Sequence, residues 1–473
     1  MGFLANILSP KDHGPYLGTF SRKGMSEGAV RYSGPKHLIT IGPPGSGKSA
    51  GLVVPNVADL PRSMLIIDPK GELAAITAKA RAKMGRVVIL NPFGVFADEL
   101  PHMKSHGFNV LAQLDPTSDD FADEGAALAE ALIAVEGEQN KYFPISARNL
   151  MTALILWEKL TNGKDANLLN VRRMLTAPSG YDSKGVPATG FMKTLFDMAL
   201  SDVDAIANRA GRLVERLTEK NASTTSVQDV IETAASETAF LDSPPIARDL
   251  TGGDFRFTDM RREIVTVYLI LPTSRLHTHA KWLRLIITAA LRALYEPVAA
   301  KERNGQKTRL PPVLFVLDEF AQLGRLEAIE AALGIARGSG VQLWPFLQDL
   351  NQLKDLYPRR WETFMTGAGA VTAYAPRDWF TAEYLSKMCG QKTDITIHQN
   401  LGQSLNGDGR GNSEGWGEHG FPLLRPENLR QMKPETMLCF VEPEPNPFFT
   451  MAPPYPRTPY GRALDRNPYY AGR

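Results

Sequence analysis

The sequence predicts an α/β protein: a parallel sheet covered by helices and split by a long all-α segment. Three observations carry this. Short, continuous apolar runs alternate with helical stretches toward both ends of the chain. The middle, from about residue 119 to 248, has helical spacing and almost no β-branched runs. A glycine-rich loop directly follows the first strong apolar run. Uninterrupted apolar runs of four to eight residues belong to parallel sheets buried on both faces.

In chain order, "KHLITIG" (36–42) reads as a strand that breaks into glycine and proline. "SMLIID" (63–68) and "RVVIL" (86–90) follow, with the helical "GELAAITAKARAKMG" between them. The stretches "FADEGAALAEALIAV", "ISARNLMTALILWEKL", "DVDAIANRAGRLVERLTEK" and "TSVQDVIETAASETAFL" carry apolar residues at helical spacing. Strands resume at "REIVTVYLIL" (262–271), "PVLFVLDEF" (312–320), "VQLWPFLQ" (341–348) and "GAVTAYA" (369–375). The expected organisation is an N-terminal extension over 1–35, a discontinuous nucleotide-binding domain over 36–115 and 261–443, an all-α domain over 116–260 and a Pro/Tyr-rich tail over 444–473. The split halves of the α/β domain must meet to complete one sheet.

Two segments read as loose. "NLGQSLNGDGRGNSEGWGEHG" (400–420) is rich in Gly, Asn and Ser and reads as a mobile loop. Proline density rules out regular structure over most of the stretch after Glu442. That stretch mixes Arg457, Arg462, Arg466 and Arg473 with aromatic residues. It is either a tail strapped over the domain or disordered, or else a docking segment for a partner or nucleic acid.

The chain of 473 residues has 43% hydrophobic and 22% charged residues, which fits two or three soluble globular units. A net charge of +2 creates no global field toward nucleic acid, so DNA contact must come from local patches or a lined channel. Cys389 and Cys439 suggest neither a disulfide framework nor a metal knuckle, and a reducing cytoplasm is the simple reading. No run reaches the ~18 apolar residues of a membrane span. The start lacks a signal-peptide pattern, although Phe3, Leu4, Ile7 and Leu8 could form a weak interfacial foot.

The chemistry concentrates in "GPPGSGKS". Gly42, Pro43, Pro44, Gly45, Ser46, Gly47, Lys48 and Ser49 match G-x-x-x-x-G-K-[ST]. Glycines let consecutive N–H groups point at phosphate oxygens. Lys48 would neutralise β/γ-phosphate charge, Ser49 would ligate Mg²⁺, and the following helix adds its positive dipole end. Pro55 is expected to end or kink that helix after about two turns. A nucleotide-hydrolysing site also needs an acid at the tip of a neighbouring strand. "VLFVLDEF" offers Asp318 for Mg²⁺ and Glu319 to orient and deprotonate water. The plain alternative is a strand ending in surface acids, but the pairing with Lys48 favours ATP hydrolysis. Gln348, ending the next strand, is either a γ-phosphate sensor or a polar terminus. Arg337 either complements a helix C-terminus or is an arginine finger serving a neighbouring subunit. Lys301, Arg303, Lys307 and Arg309 form a basic loop that reads as a solvated turn rather than a DNA track.

These stretches resemble the TraG-type coupling proteins of type IV secretion. "GPPGSGKSAGLVVPNV", "IIDPKGEL" and "DEFAQLGRLEAIEAALGIARGSGVQLWPFLQDLNQL" carry the resemblance most specifically. The shorter "NPFG", "FNVLAQLD", "VYLILP" and "FPLLRPENLRQM" add to it. The resemblance implies a RecA-like P-loop motor domain interrupted by an all-α domain, assembled as a homo-hexamer at the cytoplasmic face of a secretion channel. It implies ATP and Mg²⁺ as ligands, with relaxase-bound single-stranded DNA or effector proteins as cargo. It places Lys48 and Ser49 as the Walker A pair, Asp318 and Glu319 as the Walker B pair, Gln348 as the sensor and Arg337 as the trans-acting arginine. Asp68 to Glu72 match a family motif near the nucleotide, while Asp68 alone also reads as a helix N-terminal acid. Typical members carry two N-terminal membrane helices, whereas the first motor strand here begins near Lys36. A separate membrane-anchor partner, direct docking on the channel or a soluble variant is the corresponding expectation.

Overall fold

The structure is a computed structural model. It describes residues 14–20, 28–133, 135, 141–218, 224–253, 255–295, 302–303, 306–307, 312–335, 340–402 and 411–470. In chain order the strands are β1 (Tyr16–Phe20), β2 (Gly28–Arg31), β3 (His37–Ile41), β4 (Met64–Ile67), β5 (Arg86–Leu90), β6 (Gly180–Tyr181), β7 (Pro187–Thr189), β8 (Val265–Leu269), β9 (Glu302–Arg303), β10 (Gln306–Lys307), β11 (Val313–Leu317), β12 (Val341–Leu347), β13 (Ala368–Ala373), β14 (Gln391–Gly402), β15 (Gly411–Pro422), β16 (Thr436–Val441) and β17 (Phe448–Met451). The described residues divide into two units. One is drawn from Met1–Gly34, Ile39–Leu52 and Phe346–Pro454, the other from Pro35–Leu38, Val53–Pro345 and Tyr455–Arg473.

The larger unit holds the parallel strands. The first part of β12 pairs with β11, β11 with β4, β4 with β8, and β8 with β5, all parallel. Every residue of β4, β8 and β11 is buried. That is why their sequences are unbroken apolar runs rather than alternating ones. The helix Glu72–Ala82 joins β4 to β5, and Thr273–Tyr295 follows β8, with β9 and β10 between it and β11. Between β5 and β8 the chain forms the expected helices, among them Phe121–Leu132, Tyr142–Asn162, Asp204–Thr218 and Thr224–Glu237. Their faces follow the sequence pattern: Asp204–Thr218 buries Ile206, Ala210 and Leu213 at i, i+4 and i+7. A small hairpin, β6 with β7, interrupts this helical stretch. Buried polar groups tie the unit together. Glu158 accepts from Asn162 Nδ2 at 2.7 Å, Asn170 Nδ2 at 2.9 Å and Asn167 N at 3.2 Å. Arg81, fully buried, donates to Thr266 Oγ1 at 2.7 Å, Leu60 O at 2.5 Å and Arg62 O at 2.6 Å.

The smaller unit is largely antiparallel, which the sequence reading does not anticipate. The end of β12 pairs in parallel with β3. On the other side of β3 lies β13, followed by β16, β17, β1 and β2. The last four pairings are antiparallel. The Thr40 and Thr372 hydroxyls bond at 2.8 Å and lock β3 to β13.

Three expectations are corrected. The stretch 400–420 is not simply a loop: its described parts belong to β14 and β15, paired from Gln391↔Pro422 to Gly402↔Gly411. Backbone hydrogen bonds make that hairpin, and a Gly/Asn/Ser composition does not reveal them. The proline-rich end is regular in part. Phe448–Met451 is strand β17, and short helical turns follow at Tyr455–Arg457, Tyr460–Ala463 and Pro468–Tyr470. Pro456 and Pro468 sit at the second and first positions of their turns and the remaining prolines fall between the pieces, so none needs an N–H. Pro55 does not end its helix. A π-helical turn over Lys48–Val53 runs directly into the α-helix Val54–Asp59, with Val53 itself in helical angles, and the change of helix type falls one residue before Pro55. Phe3, Leu4, Ile7, Leu8, Lys301, Arg309 and Arg337 lie outside the described residues.

Candidate nucleoside triphosphate site

In the smaller unit, β3 ends at Ile41 and the chain bends sharply. Gly42 N donates to Leu347 O at 2.9 Å, which pins the loop entrance to the end of β12 and sets Gln348 beside it. Gly45 and Gly47 adopt φ of 76° and 92°, conformations that side chains disfavour. A Cβ on either would meet nothing within 4 Å, so the bend faces open space. Gly42 is a glycine for the opposite reason: a Cβ there would stand 2.8 Å from Ser46 Oγ. Lys48 Nζ turns back onto the loop, donating to Gly42 O and, at 3.2 Å, to Pro43 O. Ser46 Oγ is buried without a hydrogen-bond partner. The loop therefore combines glycine-bent backbone, a cation and an unsatisfied buried hydroxyl, a donor set that fits a phosphate group. The Gln348 backbone N–H donates to Gln352 Oε1 at 2.9 Å, and the Asp349 carboxylate caps the next helix through Gln352 N at 3.0 Å. These bonds fix where the Gln348 side chain starts.

In the larger unit, the fully buried β11 ends at Leu317 and hands the chain to Asp318 and Glu319. Glu319 takes left-handed angles, φ 50° and ψ 41°, a strained conformation for a non-glycine residue. Its N–H donates to Asp318 Oδ1 at 3.1 Å, and Gln322 Nε2 donates to Glu319 Oε2 at 3.2 Å. The register Ile67↔Leu317 places Asp68 next to Asp318 at adjacent strand ends. Asp68 is 1% exposed; its Oδ2 accepts from Ala74 N at 2.8 Å, while Oδ1 has no hydrogen-bond partner. Burial raises its pKa to about 7, assisted by the charges of Glu72 and Asp318 and opposed by the Ala74 and Leu73 N–H groups. The helix-terminal role of Asp68 is thus present, and it uses one carboxylate oxygen only.

The loop residues and Gln348 thus belong to one unit, and Asp318, Glu319 and Asp68 to the other. The unsatisfied Ser46 hydroxyl and the Tyr374 ring packed against Gly42 carry no signature that sequence reading could use. Among the described residues there is no cluster of three or more His, Cys, Asp or Glu side chains suited to a metal. Mg²⁺ needs no such cage, because it keeps water and phosphate oxygens and takes one or two protein ligands.

The fold is that of a RecA-like P-loop NTPase with a helical insertion. The bacterial conjugative coupling protein TrwB, lacking its first 70 residues and crystallised with sulphate, matches with a TM-score of 0.65 at 14% identity over 97% of this chain and 94% of that one. TrwB in complex with ADP and Mg²⁺ gives 0.62 at 14% identity over the same shares. Within that class, the sequence profile of the type IV secretory system conjugative DNA transfer family matches residues 7–447, and the chain belongs to this family. The conjugal transfer protein TraG of Escherichia coli is 26% identical over 398 residues, covering 82% of this chain and 60% of the relative. Protein VirD4 of Rhizobium rhizogenes is 25% identical over 427 residues, 86% of this chain and 57% of the relative. The chain therefore spans about 60% of the length of the curated relatives it matches. No helix among the described residues is long and apolar enough to cross a membrane.

Proposed function

We propose that the chain is an ATP-hydrolysing coupling protein that recruits relaxase-bound single-stranded DNA and drives it toward a type IV secretion channel. The observation that supports this most is the glycine-bent loop at Gly42–Ser49, with its buried hydroxyl and inward lysine, in a member of the conjugative DNA transfer family. TrwB, which shares the fold, has been crystallised with an ATP analogue and with ADP and Mg²⁺.

In this reading the loop N–H groups from Gly45 to Ser49 hold the β- and γ-phosphates, and Lys48 leaves its two carbonyl partners to neutralise them. Ser49 and Asp318 hold Mg²⁺, which supplies charge neutralisation at the phosphate oxygens. Glu319 orients and deprotonates water, and Gln348 reports whether the γ-phosphate is present. Arg337 from a neighbouring subunit completes the charge neutralisation, which makes activity depend on a homo-hexamer. The helical stretch 116–260 faces the cargo. The working position is peripheral, at the inner face of the membrane, through the channel or a separate anchor protein.

The test is ATP turnover of the full chain against protein concentration, with and without single-stranded DNA. Turnover should rise steeply with concentration and rise again with DNA, and salt should weaken the DNA effect. Arg337→Ala should lose turnover and keep nucleotide binding. Stimulation by secreted proteins but not by DNA would instead favour effector transport. Absence of turnover under every condition would end the motor reading.

A further inference from the structure

The C-terminal segment of the chain reaches back onto the "DPKGE" loop that ends β4. Asp465 N donates to Ile76 O at 3.3 Å, and the Asp465 carboxylate meets Lys79 Nζ at 3.0 Å. Asn467 Nδ2 donates to Glu72 Oε2 at 2.8 Å. Tyr469 OH donates to Lys70 O at 3.1 Å. Asp465 and Asn467 alternate along an extended stretch, which puts them on one side of it, and Tyr469 follows in the turn Pro468–Tyr470. Asn467 also shapes the end of that stretch, accepting from Tyr469 N at 3.0 Å through its side chain and from Tyr470 N at 3.0 Å through its carbonyl. The Tyr469 ring packs edge-on against Phe96, with centroids 5.0 Å apart. Phe96 belongs to the turn on the other flank of the loop, where a Cβ at Gly71 would stand 2.9 Å from Val95 Cγ1.

The loop needs such support. Pro69 brings no N–H, and Gly71 is left-handed at φ 70°. Lys70 exposes most of its side chain, at 58%. Gly71 N donates to Asp68 O at 3.1 Å, Ala74 N to Asp68 Oδ2 at 2.8 Å and Ala75 N to Gly71 O at 3.1 Å, while Asp68 N is anchored on Leu269 O at 2.9 Å. The first two run through Asp68, the buried carboxylate adjacent to Asp318. A shift of the loop therefore moves Asp68, and with it the charge that Asp318 feels. An exposed ion pair such as Lys79–Asp465 gives little hold by itself; the aromatic pair and the two side-chain bonds to Lys70 and Glu72 give most of it.

We propose that Asp465, Asn467 and Tyr469 form a strap whose purpose is to position the Asp68–Glu72 loop, and through Asp68 the magnesium-binding carboxylate Asp318. Tyr469 and Asn467 are positioning residues, acting through the loop without touching nucleotide. The metal half of this statement rests on the ATPase reading above; the strap itself does not.

The experiment compares the full chain with Tyr469→Ala/Asn467→Ala and with Tyr469→Phe. The first readout is amide hydrogen exchange at Gly71, Ala74 and Ala75 without nucleotide. The double variant should exchange about tenfold faster there, while core strand β8 is unchanged. Tyr469→Phe, which keeps the ring on Phe96, should fall between. The second readout is the Mg²⁺ concentration for half-maximal ATP turnover, which should rise several-fold in the double variant with a smaller change in KM for ATP. A merely stabilising tail would lower Tm and leave the Mg²⁺ dependence alone. Unchanged exchange overturns the strap, whether or not the chain hydrolyses ATP. Faster exchange with an unchanged Mg²⁺ dependence overturns its positioning role. Wild-type protein without turnover refutes the ATPase reading and the metal half with it, and exchange still decides the strap.

Discussion

Gly42 and Tyr374 approach so closely that a Cβ on the glycine would stand 3.0 Å from the tyrosine Cδ2. The Tyr374 Cβ would be 3.1 Å away as well, and because the Tyr374 N–H donates to Ile41 O at 2.8 Å, that Cβ cannot retreat without breaking a bond next to β3. Gly42→Ala is therefore expected to destabilise the chain by about 1–3 kcal/mol, the range for overpacking a tight contact. It should also weaken binding of an ATP analogue, because Ser46 must move. Gly45→Ala meets no atoms and should cost only about 1 kcal/mol for its left-handed backbone. Thermal melts and analogue titrations of both variants check this; equal effects would show that packing at Tyr374 is not what fixes the loop.

Lys48 and Glu319 should separate binding from hydrolysis. Lys48 Nζ donates to the loop carbonyls of Gly42 and Pro43, so Lys48→Ala should keep the fold and lose nucleotide binding. Glu319→Gln should keep binding while turnover falls by about 100-fold or more, the scale of losing one well-placed catalytic group. Equilibrium binding of ATP and steady-state phosphate release on the same samples decide it. A Glu319→Gln protein with wild-type turnover would remove this residue from the chemistry.

The sequence makes the parallel half of the fold legible because that half is buried on both faces. β4, β8 and β11 are written as runs such as "MLII" and "VLFVL". The phosphate loop is legible because its spacing is fixed by backbone geometry. What stays hidden is structure made by backbone pairing at half-exposed positions. β1, β2 and β17 are short and mixed in exposure, and β17 lies among prolines. The strap is hidden for another reason: Tyr469 and Lys70 are far apart in sequence, and neither belongs to a motif that names the other. Asp68 shows a third limit. Helix-terminal acid and site-adjacent acid look like alternatives in sequence, yet one carboxylate serves the first with Oδ2 and stands beside Asp318 as well.

Arg81 supplies a stability test away from the chemistry. Its guanidinium is fully buried and donates to the Thr266 hydroxyl and to the main-chain carbonyls of Val57, Leu60 and Arg62. Arg81→Ala leaves those carbonyls without a donor and opens a cavity. A loss of about 3–5 kcal/mol is expected, the scale for breaking a buried charged network. Urea unfolding gives the value; a change under 1 kcal/mol would mean that water replaces the guanidinium without difficulty.

Asp249 supplies a pH test. Its carboxylate accepts from Ser105 Oγ and, at 3.0 Å, from Trp282 Nε1, yet burial raises its pKa from 3.8 to about 6. The folded chain thus holds this proton more tightly than the unfolded chain. Below about pH 4 the group is neutral in both states and costs nothing. As pH rises from 4 through 6 the unfolded state ionises first, and stability is lost by about 3 kcal/mol in total. Asp249→Asn removes that loss, since its amide oxygen accepts from Trp282 and its NH₂ donates to a rotated Ser105 hydroxyl. Subtracting the urea midpoints of the variant from those of the wild type cancels all other titrating groups. The difference should grow in favour of the variant between pH 4 and 6.5 and then level off. Parallel curves over that range would show that Asp249 is already ionised at pH 4 and that its two hydrogen bonds outweigh its burial.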